Sequence, residues 1–331
     1  VQVLLVGKPT EKFSNEEKLK IDQFVMRGGK LILFVDKLNA ELDSLKTKKG
    51  EVVAYDRGLE LNDLLYKYGV RINSDLVMDL QCDFLPFDVN GNGQFELLPW
   101  NYFPVFETKS NHIINKNLGF VSGRFVNSID TVEVAGIKKT ILLSSSPNSR
   151  TIATPALISV LENVNAPEND KFKKANIPVA YLLEGKFSSL YNNRLSQAMS
   201  DSLKKYGAVF MPQGITNNKI IVVADGDIVL NSVVKGQPIP MGLNPYTYGS
   251  QREFAFANKD FLQNCLDYLI NSSNLSEAKA KDYTLRLLDK DKMETGKTTW
   301  QLINILVPLI LILLFAVAYQ FLRKRKYNKI Q

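Results

Sequence analysis

Histidine occurs once and cysteine only twice in 331 residues. So small a supply of imidazole and thiol excludes a disulfide framework and any metal site of the Cys/His type, which needs several such ligands at short spacing. Cys82 and Cys265 admit two readings, a pair of free thiols or one bridge in an oxidising compartment. His112, the single histidine, sits in a polar stretch. The serine run Ser144-Ser145-Ser146 lacks the Gly-x-Ser-x-Gly pattern that exposes a nucleophile at a strand end. Phosphate-binding loops are missing too. Gly28-Gly29 follows a helical stretch and precedes a strand, the reverse of a nucleotide fingerprint, and Gly296-Lys297-Thr298 has Asp291 where a phosphate loop needs its first glycine. No basic segment followed by an apolar stretch opens the chain. Val1 to Val6 reads as a buried strand, so the expectation is a fragment whose leading signal or membrane helix lies upstream.

Charge is absent from Thr298 to Leu322. A bilayer core of about 30 Å is crossed by about 20 apolar residues in a helix, so this run predicts a transmembrane helix. Trp300 and Tyr319 sit where interfacial aromatics belong. Pro308 removes one backbone hydrogen bond in the first third, which a neighbouring helix or the headgroup layer would cover. Behind the run stands Arg323-Lys324-Arg325-Lys326, with no acid, whereas Asp289 to Glu294 on the other flank is mixed. The positive-inside rule therefore places the tail in the cytoplasm and the body outside. The net charge of +7 includes five positive charges of that tail, which leaves about +2 on the rest. A bias that weak gives no footprint for nucleic acid.

The body reads as α/β. Val1–Val6, the capping-box spacing Ser14 to Glu17 at the head of a helix, and Lys30–Val35 make a strand, helix, strand unit, which implies a parallel crossover and an open, mostly parallel, flavodoxin-like sheet. Helices are expected over 59–68, 192–206 and 259–270, and strands over 75–79, 140–144, 178–183 and 219–224. An aromatic, proline-rich β insertion interrupts the pattern around Asn90-Gly91-Asn92-Gly93, a hairpin signal. Asp88, Asn90 and Asn92 have calcium-loop spacing, but Pro99 replaces the twelfth-position Glu. Phe87, Trp100, Tyr102 and Phe103 of the insertion either cover a sheet edge or form a docking surface for a partner protein. Asp36, Asp79, Asp225 and Asp227 stand at ends of predicted strands, where open α/β folds bind ligands, although Asp is also an ordinary first residue of a loop. The organisation expected is a body over 1–275, with a possible lobe boundary at 165–177, a charged stalk over 276–297, a membrane helix over 298–322 and a basic tail over 323–331.

Several stretches together, Phe24 to Asp36, Leu97 to Pro104, Ile221 to Ile228, and Leu285 to Asp289 ahead of Trp300 to Asn304, resemble the gliding-motility auxiliary subunit family GldG over nearly the whole chain. The resemblance implies a non-enzymatic accessory subunit of an ABC-2-type transporter in the inner membrane of gliding bacteria. It also implies a separate permease, a separate cytoplasmic ATPase, no cofactor, and an amidotransferase-like α/β body without catalysis. The residues themselves leave two other classes open. One is a membrane-tethered hydrolase or amidotransferase relative using Cys82 or a strand-end serine; the other is a periplasmic receptor for a glycan or similar ligand.

Overall fold

A computed structural model describes residues 1–46, 50–88, 92–107, 111–160, 169–205, 207–271 and 290–327. The chain divides into two units, Val1–Lys281 and Asp282–Gln331. Residues 276–289 of the expected stalk and the central residue of the Asp88/Asn90/Asn92 triplet lie outside the described residues, and residues 290–297 are helical.

A five-stranded sheet forms the centre of the first unit. Numbered along the chain, its strands are β1 (Val3–Gly7), β2 (Lys30–Phe34), β3 (Ile137–Ser144), β4 (Pro178–Gly185) and β5 (Asn218–Val223), in the spatial order β1-β2-β5-β4-β3. β1, β2 and β5 run parallel; β4 runs antiparallel to β5, and β3 antiparallel to β4. The sheet is therefore mixed, and the expectation of a mostly parallel sheet is corrected. A strand buried on both faces reads as a continuous apolar run in either direction. Its polarity is set by the connection, which composition does not encode.

Alternation along β2 and β5 explains why both are almost wholly apolar. Leu31, Leu33, Ile220 and Val222 point into one core; Ile32, Phe34, Ile221 and Val223 point into a second on the opposite face. The first core is closed by helices α1 (Asn15–Met26) and α2 (Asn62–Tyr68), through Leu19, Val25, Met26, Leu64, Leu65 and Tyr68. The second is closed by Phe261, Cys265 and Leu269 of helix α4 (Asn258–Ile270). A further short helix, α3 (Gln197–Lys205), adds Leu203 to the first core. Each such side chain contributes roughly 1.5–3 kcal/mol on burial, so the sheet is held from both sides.

Helix α1 starts where the spacing says it should. Ser14 Oγ accepts from the Glu17 N–H at 3.2 Å and Glu17 returns an acceptor to the Ser14 N–H at 2.8 Å, a reciprocal cap worth about 1 kcal/mol. Helix α2 ends at Gly69, whose φ of 104° a side chain would resist.

The aromatic insertion is an antiparallel pair, Cys82–Phe87 with Glu96–Phe106. Phe87, Trp100, Tyr102 and Phe103 are all buried there, in a third core. The Trp100 ring lies 5.2 Å from Tyr102, 5.0 Å from Phe103 and 5.7 Å from Phe125, edge to face in each case. Side chains so enclosed offer nothing to a partner, which corrects the expectation of a docking surface made from these four. The reason is local: the small sheets have too few strands to bury their own faces, and the large rings fill the space between them.

The second unit contains helix α5 (Lys290–Tyr327), with Pro308 inside it. Its stretch Gln301–Arg325 has a mean hydropathy of 2.7 and is not buried against protein; by length and composition it is the one described helix able to cross a membrane. Trp300 belongs to its backbone run. Tyr319, Arg323, Lys324 and Arg325 are exposed, the Arg325 guanidinium lies 5.5 Å from the Phe321 ring, and Lys326 continues the helix.

Candidate functional site

The carboxyl ends of β1, β2 and β5 lie side by side, and each delivers a charged side chain to the same place. Lys8 follows β1, Asp36 follows β2 by two residues, and Asp225-Gly226-Asp227 follows β5. The Lys8 ammonium lies 2.7 Å from Asp227 Oδ1, 2.9 Å from Glu41 Oε2 and 3.3 Å from Asp36 Oδ2. The ammonium thus donates hydrogen bonds to Asp227 and Glu41 and meets Asp36 as an ion pair. Glu41 is held on its other oxygen by Arg57 at 2.6 Å.

Backbone amides satisfy what the lysine leaves. Asp225 accepts from the Arg124 N–H at 2.9 Å and from the Asp227 N–H at 2.7 Å. Asp36 Oδ1 accepts from the Gly226 N–H. Asp36 Oδ2 is buried, accepts no hydrogen bond from a described residue, and touches Lys8 only as an ion pair.

Two glycines make the close approaches possible. A Cβ on Gly226 would stand 2.7 Å from Lys8 Cβ, and one on Gly123 would stand 2.6 Å from Asp225 Oδ2. A glycine at 226 is therefore a steric requirement of the lysine, and a glycine at 123 one of Asp225.

The electrostatics follow from this crowding. Burial pushes the Asp36 carboxyl up to about 6, and the neighbouring Asp227 charge adds to it against the pull of Lys8. Asp225, fully buried, is pushed well above the usual carboxylate range by burial, then by Asp227 and Asp36. Burial works against the Lys8 charge, but Asp227 and Asp36 outweigh it and raise its pKa. For Glu41 burial is likewise outweighed, by the hydrogen bonds from Lys8 and Arg57, and its pKa falls. One oxygen from each of Asp36, Asp225 and Asp227 lies within 4.8 Å of the others. That spacing suits a divalent cation with oxygen ligands, but the chain supplies its own cation there in Lys8.

In front of this cluster opens a cleft of about 570 Å³ whose wall includes Lys8, Glu41, Arg124, Asp227, Lys235 and Tyr246. A volume of that order is what a small ligand fills.

Of the four strand-end acids, the fold brings together Asp36, Asp225 and Asp227 and leaves Asp79 out. Asp79 ends the strand Asp75–Asp79, which pairs antiparallel with Ser149–Ala153 in a separate two-stranded sheet. It is buried and accepts from the Ser146 N–H at 2.7 Å and from Ser146 Oγ. The neighbouring Ser145 hydroxyl shares a 2.6 Å hydrogen bond with Ser149. These serines close a turn. Cys82 Sγ is pushed up to about 12 by burial, with Asp79 and Asp83 adding to it. His112 is held below the ordinary imidazole value by burial and packs edge-on against Tyr268 at 4.7 Å.

Lys8, Glu41 and Arg124 belong to the site and escape sequence reasoning. Gly7-Lys8-Pro9 reads as a strand breaker, and the lysine's partners lie 28, 33 and 219 positions away. The one usable signal is a charged residue directly behind a buried parallel strand.

Against known proteins, a family model described as an ABC-type uncharacterized transport system matches residues 1–265. No curated protein matches the chain. Among solved structures, the mmIFT52 N-terminal domain is similar at 12% identity and a TM-score of 0.39, over 82% of this chain and 78% of that one. That likeness is too slight to carry an argument.

Proposed function

The chain belongs to the family of auxiliary components of ABC-type transport systems, and from that premise we propose a membrane-anchored, non-enzymatic subunit. Residues 298–322 cross the inner membrane of a bacterium, the basic tail from Arg323 faces the cytoplasm, and residues 276–297 form a stalk to a body over 1–275 in the periplasm. The observation that carries this reading is the exposed apolar helix Gln301–Arg325, followed by basic residues without an acid. The helix meets a permease in the bilayer; ATP is hydrolysed by a separate cytoplasmic ATPase, because the chain has no phosphate loop. The link to gliding motility rests on the family resemblance noted above.

What supports a non-enzymatic body is the state of the reactive groups. Asp36 and Asp227 are tied to Lys8, Asp225 to backbone amides and Asp79 to Ser146, the Cys82 thiol is held far from a thiolate, and Ser145 and Ser146 are committed to structural hydrogen bonds.

Affinity purification of the tagged chain from membranes in mild detergent tests the assignment. The permease and the ATPase should co-purify with it, and replacing 298–322 by an unrelated membrane helix should lose them. Recovery of the chain alone would contradict the proposal.

A further inference from the structure

The charges on the wall of the strand-end cleft are unequally committed. Glu41 and Asp227 are neutralised by Lys8, and Glu41 also by Arg57. Arg124 is not neutralised in this way. Its guanidinium donates to Ser232 Oγ at 3.3 Å and lies 5.5 Å from the Phe103 ring, and no described carboxylate comes within ion-pair distance. Lys235 is exposed and makes no ion pair with a described residue. The Asp43 carboxylate stands on the same wall, so the cleft is mixed rather than uniformly basic. Two cations that make no ion pair with a described residue thus face a space of about 570 Å³; the Asp83 carboxyl lies near enough to feel the Arg124 charge without pairing with it, and a ligand anion would gain charge-assisted hydrogen bonds there.

The rest of the wall suits hydroxyl groups. Asp227 Oδ1 is taken by Lys8, which leaves its second oxygen as an acceptor for a ligand hydroxyl. Asn231 and Ser232 add short polar side chains, and Tyr246 contributes an aromatic ring. Carboxylate, amide and hydroxyl groups around a ring face are the groups that bind sugars, with hydroxyls bridged by polar atoms and C–H faces against the ring. Position agrees, since the carboxyl ends of parallel strands are where open α/β sheets hold ligands.

We infer that this cleft binds an acidic saccharide, its carboxylate on Arg124 and Lys235 and its hydroxyls on Asp227, Asn231 and Ser232. The inference stands on the cleft and not on the bilayer orientation or the transporter partners, so the two fail separately.

The test uses the full chain in detergent micelles with trigalacturonate as probe, and maltotriose and inorganic phosphate as comparisons, read by saturation-transfer NMR and titration calorimetry. Trigalacturonate should bind with a Kd of about 1 mM or tighter. Maltotriose should bind at least about tenfold more weakly, and equimolar phosphate should not displace the probe. Arg124→Gln should weaken binding at least about tenfold, and Lys235→Gln about threefold or more, the latter with an unchanged melting temperature. Because Arg124 also packs on Phe103, the exposed Lys235 keeps the test independent of folding. The inference is overturned by absence of trigalacturonate binding, by equal binding of maltotriose, by displacement with phosphate, or by wild-type affinity in Lys235→Gln.

Discussion

Lys8 Nζ and Asp227 Oδ1 lie 2.7 Å apart although 219 positions separate them in the chain. They follow β1 and β5, which are not neighbours in the sheet; β2 runs between them and sends Asp36 to the same nitrogen. A single ammonium therefore ties together three strand ends that no backbone hydrogen bond joins across their full width.

Removing that ammonium strands the acids. Lys8→Met should cost roughly 3–5 kcal/mol, the usual penalty for breaking a buried ion pair from one side. Adding Asp227→Asn to it should restore part of the loss, because fewer charges are then left unpaired. Urea denaturation of the two variants measures both. An effect of Lys8→Met below about 1 kcal/mol would mean that the cluster contributes only as an exposed pair does.

Asp36 gives a pH dependence of known sign. Its folded pKa of about 6 lies above the ordinary 3.8, so between those values the folded state holds a proton that the unfolded state has lost. Its contribution to stability is fully present below the lower value and is lost as pH rises through about 6. Asp36→Asn should remove this loss. The stability difference, wild type minus variant, should fall by roughly 1–3 kcal/mol between pH 4 and pH 7. A flat difference would show that Asp36 ionises with an ordinary pKa.

Cys82 should be slow to react. With its thiol pushed up to about 12, the thiolate fraction near neutral pH is smaller than for a free cysteine by about three orders of magnitude. Alkylation by iodoacetamide should slow accordingly, and denaturation should restore the ordinary rate. Fast labelling of the native protein would favour the thiol-dependent hydrolase class instead.

The buried aromatic cluster makes opposite demands on two variants of one residue. Trp100→Ala leaves a cavity among Tyr102, Phe103 and Phe125 and should cost roughly 3–5 kcal/mol. Trp100→Phe keeps a ring and deletes the indole N–H, which is buried and has no acceptor among the described residues. It should therefore cost under about 1.5 kcal/mol. Thermal melts decide. Two equal losses would contradict the packing described.

How much of this was legible in the sequence depends on the range of the interaction that sets each feature. The start of α1 was readable because Ser14 and Glu17 are three residues apart, and its end because Gly28 takes a φ of 88°. The central strands β2 and β5 were readable because burial on both faces leaves unbroken apolar runs. Their assembly was less so: nothing within residues 178–185 states that β4 runs against β5. Asp36 and Asp225 were identified as strand ends, whereas Asp79 was grouped with them because the strand Asp75–Asp79 looks alike from composition and belongs to a different sheet. Phe87, Trp100, Tyr102 and Phe103 show the same limit. Aromatic density in sequence does not tell an inward face from an outward one when the small sheets enclosing it are assembled from segments far apart.

Protease protection of the chain in spheroplasts, with one epitope in the body and one behind Lys326, tests the central claim most directly. In spheroplasts with an intact membrane, added protease should remove the body epitope and spare the tail epitope, and carbonate washing should leave the tail fragment in the membrane pellet. Recovery of the whole chain in the carbonate supernatant, or digestion of the tail epitope from the periplasmic side, would contradict an anchored subunit whose α/β body lies across the bilayer from its basic end.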